Sequence, residues 1–417
     1  MLKRLRGTKD ILPADVGVWR HIESSARDIF DIYGYKEIRT PAIEEASLFI
    51  RSIGDDTDIV QKEMYVFTDR GGREIALRPE ATASIVRAYL ENSLGHNQDV
   101  VKLFYIGPMF RSERPQKGRQ RQFHQLGVEA IGSDSPFLEV EVISLAVNIL
   151  KGLEIKGFVL KINTLGCEDD KSRTIERYKE QLKPYVDSLC DECKTRYTRN
   201  VLRVLDCKSA RCKDVVKKVN FEQSLCKDCT DNFKSVQGML REVDIAFTLD
   251  PTLVRGLDYY TRTIFEIVQE DLGSKDAICA GGRYDNLIKQ MGGEDTPAIG
   301  FAFGIERLMI SLRKNIEPAL DVFVTRTDEE LIKESYMVMN SLREGGISCD
   351  MAYEKKSLKA QMKKAERSGA RYVTILGDIE LKQDKVMLRD MTTGAQEAVK
   401  LKDAIKKIKE RKLKEQQ

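Results

Sequence analysis

Residues Phe104 to Gly132, FYIGPMFRSERPQKGRQRQFHQLGVEAIG, read as two strands joined by a long basic loop. The first strand is Lys102 to Met109, running into Phe110 and Arg111, and the second is Gln122 to Ile131. The loop, Ser112 to Arg121, sets Arg114, Lys117, Arg119 and Arg121 against one acid, Glu113. Side chains alternate across a strand. Phe123, Gln125, Gly127 and Glu129 therefore share one face, and His124, Leu126, Val128 and Ala130 the other. The second face is mostly apolar and suits a core. The first combines a ring, an amide, a bare backbone position and a carboxylate, which suits the floor of a small-molecule site. Arg111 ends the partner strand and can reach over that floor. Guanidinium groups pair bidentately with phosphate oxygens, so a basic loop above a polar floor favours a phosphorylated ligand. An exposed hairpin with a solvated loop is the ordinary alternative. The polar residues inside the second strand weigh against it.

FRSERPQKGRQRQFHQLGVE resembles motif 2 of the class II aminoacyl-tRNA synthetases, in the form found in histidyl-tRNA synthetases. A run of this length is far more specific than a short glycine motif. Upstream, the pattern of Trp19, Ile22, Ala26, Ile29, Phe30 and Tyr33 predicts a helix over Asp15 to Tyr33, stopped by Gly34. A strand, Lys36 to Thr40, runs into Pro41, and GYKEIRTPAIEEASLF is similar to motif 1, the family's dimer-interface segment. EMYVFTD and REIALRP flank Arg70-Gly71-Gly72 and predict a hairpin. Leu77 to Thr82, LRPEAT, then opens a helix over Thr82 to Glu91. Pro79 and Glu80 stand where prolines and acids start helices, so capping explains Glu80 and Thr82 by itself. The resemblance implies more, because the family's matching glutamate and threonine hold the ammonium of the amino-acid substrate.

Downstream, a helix over Phe137 to Ile149 and a strand over Phe158 to Asn163 precede a distinct segment, Cys167 to about Phe233. It is basic, helical in pattern, and carries Cys190-Asp-Glu-Cys193, Cys207, Cys212 and Cys226-Lys-Asp-Cys229. Paired CxxC motifs signal zinc, but six thiols exceed the four of one tetrahedral site. A structural zinc and plain reduced core thiols both remain open. No histidine lies in the segment to activate a catalytic thiol, and no residue is assigned as a ligand of a catalytic metal.

LVRGLDYYTRTIFE, from Leu253, enters a strand through Glu266 to Val268. A turn at Gly273-Ser274 follows, then a strand over Asp276 to Ala280 leading into AGGRYDNL. Both stretches are similar to signatures peculiar to histidyl-tRNA synthetases. A lone arginine beside aromatics is ordinarily a stacked surface cation, but in this constellation Arg255 belongs to the site. AIGFAFG, Ala298 to Gly304, alternates strictly: Ile299, Phe301 and Phe303 face a core. Ala298, Gly300, Ala302 and Gly304 leave a nearly bare face on which adenine would fit. A glycine-rich strand packed on its neighbour is the alternative. GFAFGIER resembles motif 3, whose arginine, here Arg307, contacts the ATP phosphates. After a linker from Arg313 to Leu320 the pattern becomes alternating strands and helices. Strands are expected at Asp321–Thr325, Ile347–Met351, Arg371–Leu376 and Lys385–Arg389, with helices at Asp328–Arg343, Leu358–Arg367 and Leu401–Lys414. SLKAQMKKAERSGARYVTILG is similar to the family's anticodon-binding domain.

Composition sets the outer bounds. The 417 residues suffice for two or three domains. Lys+Arg 69 against Asp+Glu 66 leaves a net charge of +3, so any nucleic-acid surface must be a local patch. No apolar run approaches the ~20 residues a membrane helix needs and the N-terminus has no signal-peptide core, so a soluble, cytoplasmic protein with no membrane partner is expected. The nine cysteines, seven of them between Cys167 and Cys229, do not form a disulfide framework pattern.

The resemblance spans nearly the whole chain and implies an α+β class II fold, a mostly antiparallel sheet flanked by helices. The implied division is a catalytic domain at 1–166 and 236–314, a cysteine-rich helical insertion at 167–235, and a C-terminal α/β anticodon-binding domain at 321–417. The implied reaction is histidine plus ATP to histidyl-adenylate, then transfer to tRNA(His), with Mg2+ assisting and a homodimer as the working form. Arg111 and Arg255 would be catalytic. Glu80, Thr82, Arg111, Gln125, Glu129, Arg255, Tyr259 and Tyr260 would bind histidine, with Glu129 and Tyr260 reading the imidazole. Arg111, Glu113, Phe123 and Arg307 would bind ATP. A non-catalytic, histidine-sensing regulatory paralogue is the rival reading, although that paralogue lacks the C-terminal domain. A zinc-containing RNA-binding module without chemistry is a second.

Overall fold

Strands Val101–Phe110 and Gln122–Ile131 form the hairpin the alternation predicts, paired antiparallel from Val101 opposite Ile131 to Phe110 opposite Gln122. Around it the computed structural model describes residues 2–116, 118–219, 223–269, 277–312 and 320–415. Lys117, the turn at Gly273–Ser274, the strand start at Asp276 and linker residues 313–319 lie outside the described residues. The chain divides into two units, Met1–Asn315 and Ile316–Gln417.

In the first unit the hairpin belongs to an eight-stranded sheet. Across it run Lys36–Glu37, Val101–Phe110, Gln122–Ile131, Ala298–Gly304, Ala277–Arg283, Thr261–Gln269, Phe158–Thr164 and Thr248–Leu249. Only the two outermost pairings are parallel; the central strands are all antiparallel, as the fold class requires. One face is covered by helices Pro13–Ile32 and Pro136–Gly152. The first buries Val18, Trp19, Ile22, Ala26 and Phe30, and Phe30 stacks on Phe104 with centroids 4.5 Å apart. Burying a phenylalanine completely is worth about 1.5–3 kcal/mol, so this ring pair is a principal fastening of helix to sheet. The other face of the same strands is left for a cleft. The strand expected over Lys36 to Thr40 pairs only at Lys36–Glu37. It is an exposed edge strand, and its last ladder contact is the Ile38 N–H to the Phe104 carbonyl, 2.8 Å, before Pro41 ends the run.

A small sheet orders strands Ile43–Glu45, Glu74–Leu77 and Tyr65–Thr68 and carries the predicted hairpin. Helix Thr82–Glu91 has the bounds read from the sequence. Between Phe158–Thr164 and Thr248–Leu249 the cysteine-rich segment is helical, with helices Glu168–Leu182, Asp191–Arg199, Ala210–Val216 and Lys227–Glu242.

The second unit is a five-stranded sheet in the order Cys349–Met351, Val322–Arg326, Tyr372–Leu376, Lys385–Asp390, Gln396–Lys400. The first three strands are parallel and the last two antiparallel. Helix Leu358–Arg367 starts on a Ser357 cap and buries Gln361 and Ala365, whose neighbours Lys359, Lys363 and Arg367 stay exposed. Gln361 bonds both the N–H and the carbonyl of Arg326 at 3.1 and 3.0 Å, fixing the helix to the central strand. No helix among the described residues is long and apolar enough to cross a membrane.

Candidate active site

The alternation along Gln122–Ile131 separates two environments. His124 packs edge-on to Trp19 at 4.8 Å and bonds Glu306 on the covered face. Phe123, Gln125 and Glu129 line a cleft of about 860 Å³ on the other. Two glycines make room there. A Cβ at Gly300 would overlap the Glu129 carboxylate. One at Gly127 would lie 2.6 Å from the Tyr105 hydroxyl, so bulkier residues at either position would displace the floor.

At its closed end Glu129 is 1 % exposed and accepts two bonds, from Thr82 Oγ1 at 2.7 Å and from the Tyr284 hydroxyl at 2.5 Å. Burial pushes its carboxyl up to about 8, against the lowering effect of those two donors. Tyr259 and Tyr260 stand beside it with ring centroids 4.8 Å apart, and burial lifts the Tyr260 hydroxyl to about 12. Lys171, reaching in from the helix Glu168–Leu182, holds this loop by the Asp258 and Tyr260 carbonyls at 2.6 and 3.2 Å. Glu80 accepts from the Thr82 and Ala83 N–H groups at 2.7 and 2.9 Å, so it caps helix Thr82–Glu91 from within the cleft. Burial raises its carboxyl while those N–H groups oppose the rise. Gln125 Oε1 is buried with no hydrogen-bond partner, which leaves an acceptor for a bound donor.

Cations gather further out. Arg111 donates through Nε to the Pro79 carbonyl at 2.9 Å and lies 5.4 Å from the Phe123 ring centroid. Arg255 bonds Glu266 at 2.5 Å; burial opposes its charge, and Glu266 together with Tyr260, Asp206 and Cys279 more than offsets that. Its Nε is another buried atom without a partner. Arg307 bonds the Gly118 carbonyl at 3.3 Å and the Ala277 carbonyl, tying the motif-3 helix Ile305–Leu312 to the tip of the basic loop. Within that loop Arg119 bonds Glu113 at 3.1 Å, with Arg111 4.0 Å from the same carboxylate. All eleven residues singled out from the sequence, Glu80, Thr82, Arg111, Glu113, Phe123, Gln125, Glu129, Arg255, Tyr259, Tyr260 and Arg307, line this one cleft.

Likeness to known proteins, in sequence and in structure, bears on what such a cleft is. The histidyl-tRNA synthetase family profile matches residues 7–308, and an anticodon binding domain profile matches 320–411. The chain belongs to the histidyl-tRNA synthetase family. Histidine–tRNA ligase of Pelotomaculum thermopropionicum is 46% identical over 414 residues, covering 98% of this chain and 97% of that protein. The ligase of Halothermothrix orenii is 46% identical over 413 residues, covering 98% and 99%. The crystal structure of apo S. aureus histidyl-tRNA synthetase superposes with a TM-score of 0.80 at 35% identity, covering 98% of this chain and 100% of that one. A histidyl-tRNA synthetase is an ATP-using ligase, and the regulatory-subunit alternative is not favoured, since relatives aligned over nearly the whole length carry the ligase name.

Several cleft residues of this synthetase escaped the sequence reading. Tyr284 belongs to the quoted AGGRYDNL, yet nothing in the spacing points it at Glu129, 155 positions away. Its neighbour Arg283 turns elsewhere: fully buried, it pairs with the equally buried Glu139 at 3.3 Å and with Asp285. The insertion supplies the other surprise. Arg196 and Arg203 converge on Asp58 at 2.9 and 3.0 Å, and Asn200 bonds Asp258 at 2.7 Å. These contacts make residues such as Asp206 and Lys208 a wall of the cleft.

Proposed function

We propose that this chain activates histidine with ATP and transfers it to tRNA(His), using the cleft residues in the following roles. The observation that carries the reading is the buried Glu129, held by Thr82 and Tyr284 among tyrosines. A carboxyl so placed is matched to a polar, proton-bearing side chain and leaves unpaired groups when an apolar isostere enters, which is why such pockets discriminate strongly. Glu129 meets one imidazole nitrogen and Tyr260 the other, with Tyr259 lining the ring. Glu80, Thr82 and Gln125 receive the ammonium; the lone pairs left on Glu80 and the unpartnered Gln125 Oε1 support this.

The substrate carboxylate is already ionised and attacks the α-phosphorus of ATP directly. A carboxylate oxygen–phosphorus bond forms as the bond to pyrophosphate breaks, and no general base is needed. The barrier is lowered by alignment and by charge set against the pentacovalent phosphate. Arg111 and Arg255 supply that charge and orient the histidine carboxylate, Arg307 holds the terminal phosphate, Phe123 stacks on adenine and Glu113 accepts from its amino group. Mg2+ suits this donor set as an ion carried by the phosphates, since it keeps waters and takes only one or two carboxylates. Glu266, which lines the cleft and takes the Arg255 bond, would hold the ion, which would neutralise phosphate charge there. Pyrophosphate leaves and the adenylate is presented to the terminal ribose of the tRNA.

The working form is a cytoplasmic homodimer joined through the segment around Ile43; the exposed apolar side chains of Ile43, Val66 and Phe67 on the small sheet support such a face. The deciding experiment is ATP–pyrophosphate exchange dependent on histidine, followed by charging of tRNA(His). A protein that binds histidine and neither exchanges nor charges would instead be a sensor.

A further inference from the structure

Six thiols in paired motifs were too many for one tetrahedral site, and the fold divides them. Cys190, Cys193, Cys207 and Cys212 bring their Sγ atoms within 4.8 Å of one another. Separately, Cys226 and Cys229 meet Cys167 and a carboxylate oxygen of Asp170 within the same limit. We propose that this protein carries two structural zinc ions, one in a four-cysteine site and one in a three-cysteine, one-aspartate site.

The geometry of the first cluster fits the ion. Zinc–sulfur bonds of ~2.3 Å in a tetrahedron place neighbouring sulfurs ~3.8 Å apart, and Cys190 Sγ lies 3.8 Å from Cys207 Sγ. None of the four thiols is in a disulfide. Thiols packed only as small apolar groups have no reason to aim four sulfurs at one centre. A four-iron cluster, in which each thiolate binds a different iron, would hold them farther apart. The surroundings also suit anionic sulfur: the Cys190 N–H donates to Cys212 Sγ at 3.2 Å and the Ser209 N–H to Cys207 Sγ at 3.4 Å. Such outer bonds orient ligands and offset their charge. Leu189, Val201, Leu202, Val204 and Val215 pack around the site on its inner side, while Cys190 and Cys207 reach the wall of the cleft.

The second cluster repeats the pattern with different parts. The Cys167 N–H donates to Cys229 Sγ at 3.2 Å and the Cys229 N–H to Cys226 Sγ at 3.4 Å. Asp170, fully buried, accepts from the Cys226 N–H at 2.9 Å and from Arg173. Helices Glu168–Leu182 and Lys227–Glu242 both begin at this cluster, so two positive helix ends face its anionic ligands. The two sites do different mechanical jobs. The second joins the segment's first residues to its last helix and closes the insertion at its base. The first shapes the loop that presents Asp206, Cys207 and Lys208 to the catalytic cleft.

The test is metal analysis of the full chain, expressed with zinc present, purified in reductant without chelator and dialysed. Two zinc ions per chain are expected. Cys212→Ser and Cys229→Ser should each lower the count by one, and Cys349→Ser, in the C-terminal unit, should leave it at two. Should the ligand variants fail to fold, wild-type protein reconstituted with cobalt(II) gives the same answer. Two equivalents should bind, with intense thiolate-to-cobalt absorption and tetrahedral visible bands. Zinc-free protein that takes up no cobalt overturns the proposal, as does iron in place of zinc, or a Cys190–Cys207 disulfide found by mass spectrometry of natively alkylated protein. A single zinc lost with Cys212→Ser and retained in Cys229→Ser overturns the second site.

Discussion

Replacing Glu129 by glutamine separates what the buried carboxyl does for recognition from what it does to the fold. The wild-type group is fully buried and its carboxyl is raised from 4.5 to about 8. Between those values the folded chain keeps a proton that the unfolded chain has released. Stability therefore falls as pH rises through that window, by at most about 1.4 kcal/mol per unit for one such group. The loss is absent below the unfolded value and complete above the folded one. Summed over pH 5.5 to 8 it approaches roughly 3 kcal/mol. Glutamine fills the same volume and cannot ionise, so the variant lacks this one dependence and shares all others. Urea unfolding can be followed through Trp19, the sole tryptophan, which packs 4.8 Å from His124 on the strand that carries Glu129. We expect the advantage of Glu129→Gln over wild type to grow by roughly 3 kcal/mol between pH 5.5 and pH 8. Histidine-dependent pyrophosphate exchange should fall by ~10²-fold or more at both, because an amide cannot take up the charge set against the imidazole. A stability difference constant from pH 5.5 to 8 would refute the buried neutral acid.

Arg255→Gln should slow exchange by ~10²-fold or more while histidine affinity changes far less, as for loss of a preorganised charge donor; near-normal turnover in the folded variant would remove Arg255 from the transition state. Tyr260→Phe should weaken histidine by ~1–3 kcal/mol and leave ATP alone, since it strands a buried partner. Equal loss for both ligands, read by calorimetry, would put the residue elsewhere in the site. On the exposed face of helix Leu358–Arg367, Lys359→Gln with Lys363→Gln should raise the KM for tRNA and flatten its salt dependence by about two units of slope at most. Exchange should not change, and an unaltered slope would take this face out of the RNA interface.

What could be read from the sequence was whatever depends on neighbours along the chain. Strict alternation gave the hairpin and the bare face of Ala298–Gly304, and the LRPEAT start marked helix Thr82–Glu91 residue for residue. Elements with little to bury left no trace. Strand Gln396–Lys400 is an edge strand whose residues are exposed except for half-buried Val399, so no alternating apolar pattern announced it. The short helix Asp378–Lys382 buries no residue fully, only half-buried Leu381 packing on the core, and is likewise silent. In the insertion the CxxC pairs were visible, but their division was not. Cys167 and Asp170 reach Cys226 and Cys229 only because the segment's first and last helices start side by side.

The cleft shows the same limit from the other direction. Residues of one strand could be sorted by face, whereas the bonds that tune them cross the sheet. Glu129 is tuned by Tyr284 and Thr82, and Arg255 by Glu266, from separate strands and loops. Arg283 and Tyr284 are adjacent in one signature and do unlike work, the first binding the buried Glu139 and the second the cleft. Glu80 is the instructive case, because capping and substrate binding looked like rival explanations. Its two oxygens each accept one backbone N–H, and a carboxylate offers about four lone-pair sites. The cap therefore occupies half of what the group can accept. It also removes the rotamer freedom that a free glutamate would lose on binding an ammonium ion. The helix start is thus the device that preorganises Glu80, and one geometry serves both readings.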